Sequence, residues 1–381
     1  MSEVRVNNLS NENNTGGPTK SGITTYSGRH FFVPPQGDTA SRPSDCEPGS
    51  LRFNTDSAKL EYFRGNTIGW TEIEASSHEV GGGTGSNVGT GTRGFNAGRH
   101  VYEDNIEFIT ISTLGDSQDF GNLTTGRFSL GNLVGSDTRM IFAGGYYVNV
   151  IDFWTVQSTG NATDFGDLTT PRQQMSGCND KIRGIWAGGR GPGHGSENTM
   201  DYVTIQSTGN AVDFGDLSAQ KTTAAACSSS TRGIWNYDAG PVAETKFVNI
   251  RSTGNTTDFG DGYGDREMNG GQSSSTRGMF AGGYADSNII GFITMATTGN
   301  TTDFGDLTQG GYSFTAMSSS TRCVFGGRTY YSHPSFYQVN TMDFVEIATT
   351  GNAVDFGDMA FMTSAVGNTA GGSNGHGGLA G

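Results

Sequence analysis

The tripeptide Asp-Phe-Gly occurs six times in this 381-residue chain, with its phenylalanine at Phe120, Phe165, Phe214, Phe259, Phe304 and Phe356. The steps between them are 45, 49, 45, 45 and 52 residues. A second aromatic stands 12 residues before each, at Phe108, Phe153, Tyr202, Phe247, Phe292 and Phe344. An arginine, usually after threonine, marks a third position at Arg93, Arg139, Arg183, Arg232, Arg277 and Arg322. Self-similarity at such a period means a row of like supersecondary units, none of which can bury its apolar surface alone.

Each unit reads as β. In the fifth, 277–281 and 289–297 are runs of apolar and β-branched residues, followed by strands over 302–307 and 312–318. Thr298-Gly299-Asn300 supplies a hairpin turn, where Gly and Asn accept positive φ. A Ser-Ser-Ser-Thr turn closes the unit. The 61 glycines of the chain suit many short strands joined by tight turns and disfavour long helices. The fold expected is all-β: six four-stranded sheets around an axis, a six-bladed β-propeller.

The order of apolar strand, Gly pair, variable loop, aromatic, second aromatic, leucine and a basic residue resembles the Kelch repeat over residues 92–367. The resemblance implies that the Gly pair ends strand b and that the two aromatic series lie in strands c and d and pack between blades. The basic residue is Arg127, Arg172, Lys221 and Arg266, but Gly311 and Thr363 stand there in the last two units. The Gly pair is also broken at Ala97-Gly98 and Ala239-Gly240. The chain enters the repeat with strands b, c and d, so a closing strand a is needed at its end. Residues 360–367 align with it, and would remove a raw sheet edge from the first blade.

Residues 1–80 lie outside the repeat. Residues 49–74 alternate through Leu51, Phe53, Leu60 and Tyr62 and close on Trp70 and Ile73, which predicts a hairpin about Asp56-Ser57 and a third strand. This stretch resembles a small module of phage tail-fibre and other virion proteins. The polar opening MSEVRVNNLSNENN is similar to leaders of tailed-phage structural proteins. Residues 81–92 read as a Gly-rich linker, and 368–381 as a Gly-rich tail that is poorly held without a partner.

A net charge of −14 argues against nucleic-acid binding and against docking on an anionic membrane. No apolar run approaches a membrane span. The four cysteines, Cys46, Cys178, Cys227 and Cys323, form no CxxC pair, and the six histidines show no ligand spacing. No nucleophile elbow or zinc-protease motif is present, so no catalytic residue is assigned. Asp-Phe-Gly-Asp gives oxygen-rich pairs such as Asp164/Asp167, and calcium is the one cofactor they leave open. A feature present in every unit is more simply a turn in which Asp accepts backbone N–H groups.

The function expected is therefore structural and non-enzymatic. The chain reads as a tail or fibre component of a tailed-phage virion, made in the bacterial cytoplasm and located in the particle. The partners implied are other virion proteins, copies of itself, and a host cell-surface glycan or protein. The alternatives are a cellular Kelch-type scaffold and a glycan hydrolase on a propeller. The binding face is expected where length varies, between strands b and c. The longest of these loops, residues 328–342, carries Tyr330, Tyr331, His333, Phe336 and Tyr337, and the next brings Arg190 and His194.

Overall fold

The computed structural model describes residues 34–73 except 58, and residues 92–379 except 99–102, 128–130, 223–224, 239–242, 263–269, 284–286, 313, 333–334 and 361–368. The chain divides into two units, Met1–Ser77 and His78–Gly381. Among the described residues, every regular element is a strand except a 3-10 turn at Gly377–Leu379. The fold is all-β.

The first unit holds one sheet of four strands, Gln36–Gly37, Leu51–Asn54, Lys59–Phe63 and Trp70–Glu72, in that order. Its central hairpin pairs Leu51 with Tyr62 and Asn54 with Lys59. The buried face, however, is not the aliphatic one. Arg52, Asn54, Glu61 and Phe63 are inside, while Leu51 and Leu60 are 42% and 38% exposed. A buried carboxylate needs partners, and Glu61 has them. Arg42 donates from Nε at 3.1 Å and Nη2 at 2.6 Å, and Asn54 also donates to it. The Arg42 hydrogen bond holds the Glu61 carboxyl below the usual carboxylate range, against the opposing effect of burial.

Among the described residues, the second unit holds six sheets. The third is representative: Ser176–Asn179, Arg183–Ala187, Glu197–Thr204 and Val212–Lys221, each antiparallel to its neighbours. These positions are a, b, c and d. Sheets two, four, five and six repeat the same order. In the first sheet, strands d, c and b are Gln118–Asn122, Asn105–Thr110 and Arg93–Ala97, and strand a is Ala370–Ser373, supplied from the far end of the sequence.

That position corrects two expectations. The strand beside Arg93–Ala97 is not 360–367, of which 361–367 lie outside the described residues. It lies about ten residues later, in the stretch read as a loose tail. Ala370, Ser373, His376 and Leu379 are all buried. Glycine here serves close packing: a Cβ on Gly371 would collide with the Thr315 hydroxyl and the Ala316 backbone. Asn374 then completes a repeated cap. Its Oδ1 accepts the Arg93 N–H at 2.7 Å, as Ser229 Oγ accepts that of Arg232 at 3.1 Å within a continuous turn.

Contacts run from each sheet to the next and from the sixth to the first. In the Thr-Gly-Asn turns and their first-sheet counterpart, the Gly N–H donates to a Phe carbonyl of the preceding sheet at 2.7–2.9 Å; Gly160 reaches Phe120, and Gly115 reaches Phe356. Each strand-b arginine lies over its own strand-c aromatic at 4.3–5.1 Å from the ring centroid. Its Nη1 donates onward to a carbonyl of the next sheet: Arg93 to Val156, and so on to Arg277 with Ile347 and Arg322 with Ile111. The two aromatics 12 apart meet edge to face in every sheet, with centroids 5.8–5.9 Å apart. The Asp-Phe-Gly phenylalanines are buried in clusters shared with the following sheet; Phe356 packs with Ile109 and Ile111 of the first.

The a strands meet along their ends. The Ser228 N–H donates to Ser273 Oγ at 3.2 Å, and that hydroxyl returns a bond to the Ser228 carbonyl at 2.6 Å. Ser318 and Ser373 repeat the exchange. Asn132 reaches across to the carbonyls of Ala226 at 2.7 Å and Gly271 at 3.0 Å. The 3-10 turn packs against the a strands of sheets three, four and five.

Candidate binding face

Strand connectivity gives the sheets of the second unit two kinds of end. One carries the a–b and c–d turns. The other carries the b–c connections and the d–a crossings.

At the first end, Asp-Phe-Gly-Asp is strand and not a turn. Thr163–Asp167 pairs with Val148–Thr155 across a bulge between Ile151 and Asp152. The Asp167 N–H donates to Asn210 Oδ1 of the next sheet at 3.1 Å, an arrangement repeated with Asp358 and Asp116 at 2.9 Å. Gly166 has φ +147°, and a Cβ on it would lie 2.5 Å from the Gly209 carbonyl carbon and oxygen. The repeated Gly is set by that approach. Among the described residues, no group of three His, Cys, Asp or Glu could hold a metal ion. All four cysteines are free; Cys178, Cys227 and Cys323 are buried, and burial pushes their thiols up.

Beneath the second end lie buried ion pairs. Asp152, Asp201 and Asp343 each precede a strand-c aromatic and are fully buried. Arg127 meets Asp152 at 2.9 Å and Arg172 meets Asp201 at 2.6 Å. Thr124 and Thr169 add hydroxyl bonds to the same carboxylates. These are the basic residues of the repeat, and they also brace the end of strand b: Arg127 Nε donates to the Gly144 carbonyl at 2.9 Å, Arg172 Nη1 to that of Gly188 at 2.8 Å. At the crossing into sheet six the basic residue is replaced by Gly311, and Arg328 reaches Asp343 from strand b instead, at 2.9 Å. A Cβ on Gly311 would lie 3.2 Å from that of Arg328, so the two changes belong together.

The expected long loop of sheet six is mostly ladder. Arg322–Ser332 and Ser335–Glu346 stay paired out to Ser332 and Ser335, making a projecting hairpin. Tyr330 and Tyr337 are cross-strand partners whose rings stack with centroids 5.4 Å apart, and Tyr337 is 47% exposed. Tyr331 and Phe336 are the next register pair, and His333 lies outside the described residues.

In sheet three, Arg190 is pinned between Gln173 and Ser196 by isolated bridges. His194 turns toward sheet two. Its Nε2 lies 2.7 Å from Tyr147 Oη, and its ring centroid lies 5.6 Å from that of Tyr147 and 6.2 Å from that of Tyr146. Sequence reasoning missed both tyrosines, because they lie in one of the shorter b–c connections, a two-residue turn between Gly145 and Val148. The available signal was the residue type: such turns favour Asn-Gly, and here they hold Tyr-Tyr.

No family model matches this chain, and no curated protein matches it.

Proposed function

We propose that the six sheets are the blades of a six-bladed Kelch-like β-propeller closed by Ala370–Ser373. In this reading the protein is a non-enzymatic recognition component of a tailed-phage virion. The first unit serves as the attachment arm, and the end bearing the b–c connections serves as the binding face. The propeller reading is supported by contacts that return from the sixth sheet to the first, through Arg322 with Ile111 and Gly115 with Phe356.

The observation that carries the recognition reading is the contrast between the ends. One end is occupied by bonds repeated from sheet to sheet. The other differs among sheets two, three and six, and presents Tyr147 and Tyr337 on braced hairpins. The virion context rests on the resemblance of residues 49–74 and of the leader. A propeller fold by itself does not select a function.

Cryo-electron microscopy of particles from a culture producing this chain tests the reading. The expected result is a six-lobed disc joined to the particle through residues 1–80, with the b–c end outward. Absence of the chain from purified particles would remove the virion assignment. A disc docked through its b–c end would remove the recognition face.

A further inference from the structure

We propose that Tyr146, Tyr147 and His194 form a carbohydrate-stacking site that takes a neutral pyranose. This deepens the reading that the b–c end is the recognition face and does not depend on the virion assignment.

The argument begins with backbone. Among the described residues, three non-glycine positions have positive φ: Tyr147 at 61°, Gln174 at 59° and His194 at 59°. All three lie at the b–c end, around sheets two and three. A side chain in this region is disfavoured, and local outliers that the sequence could easily avoid point to function. Avoidance would have been easy. His194 stands in Gly191-Pro192-Gly193-His194-Gly195, where none of the three glycines has a positive φ and the histidine does. The chain places glycine all round the one position that would welcome it.

The two unfavourable positions then meet. The Tyr147–His194 hydrogen bond ties the turn of one sheet to the loop of the next, and Tyr146 lies edge-on to Tyr147 with centroids 4.0 Å apart. His194 is held by its own turn, its N–H donating to the Gly191 carbonyl at 3.0 Å. Arg127 and Arg172 brace the strands below through Gly144 and Gly188. Tyr147 is nevertheless 44% exposed, and His194 is exposed. The result is a rigid aromatic platform with polar edges. A pyranose offers such a platform an apolar C–H face to stack and hydroxyls to bond.

A protein partner fits less well. The large hydrophobics exposed at the opposite end are Leu114, Ile182, Val212 and Val354; among the described residues, those exposed at the b–c end are Tyr147 and Tyr337. Tyr147 and His194 are exposed and combine ring area with polar atoms, and a sugar uses both. The net charge of −14 disfavours acidic saccharides.

The test is saturation-transfer NMR on the full chain with the methyl pyranosides of glucose, galactose, mannose and N-acetylglucosamine. At least one should show transfer to its ring protons, with a Kd on the order of 1 mM for so small a ligand. Tyr147→Ser should weaken that binding at least tenfold, and His194→Gly should weaken it while keeping the fold, because glycine suits the backbone there. Tyr330→Ser with Tyr337→Ser should leave it unchanged. No transfer to any of the four sugars overturns the proposal. So does transfer undiminished in both Tyr147→Ser and His194→Gly, or transfer lost only with Tyr330 and Tyr337. Should Tyr147→Ser fail to fold, His194→Gly decides alone. None of these outcomes bears on whether the chain is found in particles.

Discussion

The two ends of the repeated sheets obey different rules. At the turn end, nearly every recurring residue is engaged by an adjacent sheet: the Thr-Gly-Asn glycine by a Phe carbonyl, its Asn by an Asp N–H, the strand-b arginine by a carbonyl one sheet on. At the b–c end of sheets two, three and six the repeated residues stop at the buried Arg–Asp pairs, and beyond them lies a different structure in each. Sheet two has a two-residue turn, sheet three a glycine-rich loop and sheet six a projecting hairpin. Repetition in this chain marks contact between sheets. Departure from it marks surface left for something else.

The contrast breaks most decisively at the strand borrowed from the far end of the sequence. Deleting residues 370–381 removes the partner of Arg93–Ala97, the Asn374 cap and the buried 3-10 turn together. The loss should exceed about 5 kcal/mol, a fall of roughly 10 °C or more in the melting temperature for a unit this large. Thermal denaturation followed by circular dichroism measures it. A truncated chain that melts with the full one would mean that the first and sixth sheets are held by other contacts.

The next effect separates the buried pairs from the variable surface above them. Asp201→Ala leaves the fully buried Arg172 guanidinium without its carboxylate, which costs about 3–5 kcal/mol. Asp343→Ala should cost a similar amount although its arginine comes from strand b and not from the d–a crossing. If only Asp201 matters in chemical denaturation, Arg328 is not the replacement its geometry makes it.

Within the turn end, Gly166→Ala is expected to cost about 3 kcal/mol. The added carbon meets backbone of the next sheet and not a side chain that could rotate away, so the Gly209 N–H bond to Phe165 must lengthen. A change below about 1 kcal/mol in denaturant midpoints would show that the close approach relaxes freely.

The C-terminal segment gives a smaller, pH-dependent effect. Burial lowers the His376 pKa from 6.5 to about 4, and its Nδ1 accepts the Gly378 N–H at 3.1 Å, which requires an unprotonated nitrogen. The unfolded chain therefore binds the proton first as pH falls. Stability is full above pH 6.5, drops as pH falls below it, and levels off near pH 4. The loss should be about 2 kcal/mol by pH 5. Comparing wild type with His376→Gln at pH 7.5 and 5.0 isolates this residue from the carboxylates, and equal slopes would exclude it.

Much of this organisation could be read in the sequence. The two aromatic series, the turn chemistry and the strand-b arginine recur because each repeat meets the same neighbours, and spacing alone located them. What could not be read depended on partners far apart in sequence or on local exceptions. Ala370–Ser373 is glycine-rich and resembled a loose tail; the usable signal was a strand of small residues ending in serine before a capping residue, as at Ser228 and Ser273. The Arg328 substitution for a missing basic residue at Gly311 is visible only when two strands are brought together. In the first unit, the buried polar set of Arg52, Asn54 and Glu61 overrode an alternation that pointed to the leucine face. At the candidate site, His194 was singled out by loop length, whereas Tyr146 and Tyr147 escaped because length was the wrong measure for them.

The smallest expected effect is the most informative about what the b–c end is for. His194→Gly removes a side chain from a backbone region that costs an L-residue about 1–2 kcal/mol. It also loses a hydrogen bond of about 1 kcal/mol and gains freedom in the unfolded chain of somewhat less than that. These oppose one another, so stability should stay within about 1 kcal/mol of wild type. Adding one carbon at Gly166 is costly because the repeat uses that space; removing a whole imidazole from His194 is nearly neutral because the fold does not need it. A drop beyond about 2 kcal/mol in denaturant midpoints would make His194 a structural tie between sheets two and three. A neutral result, with the Tyr147 ring losing its fixed orientation by NMR, leaves ligand contact as the reason that a histidine occupies a position made for glycine.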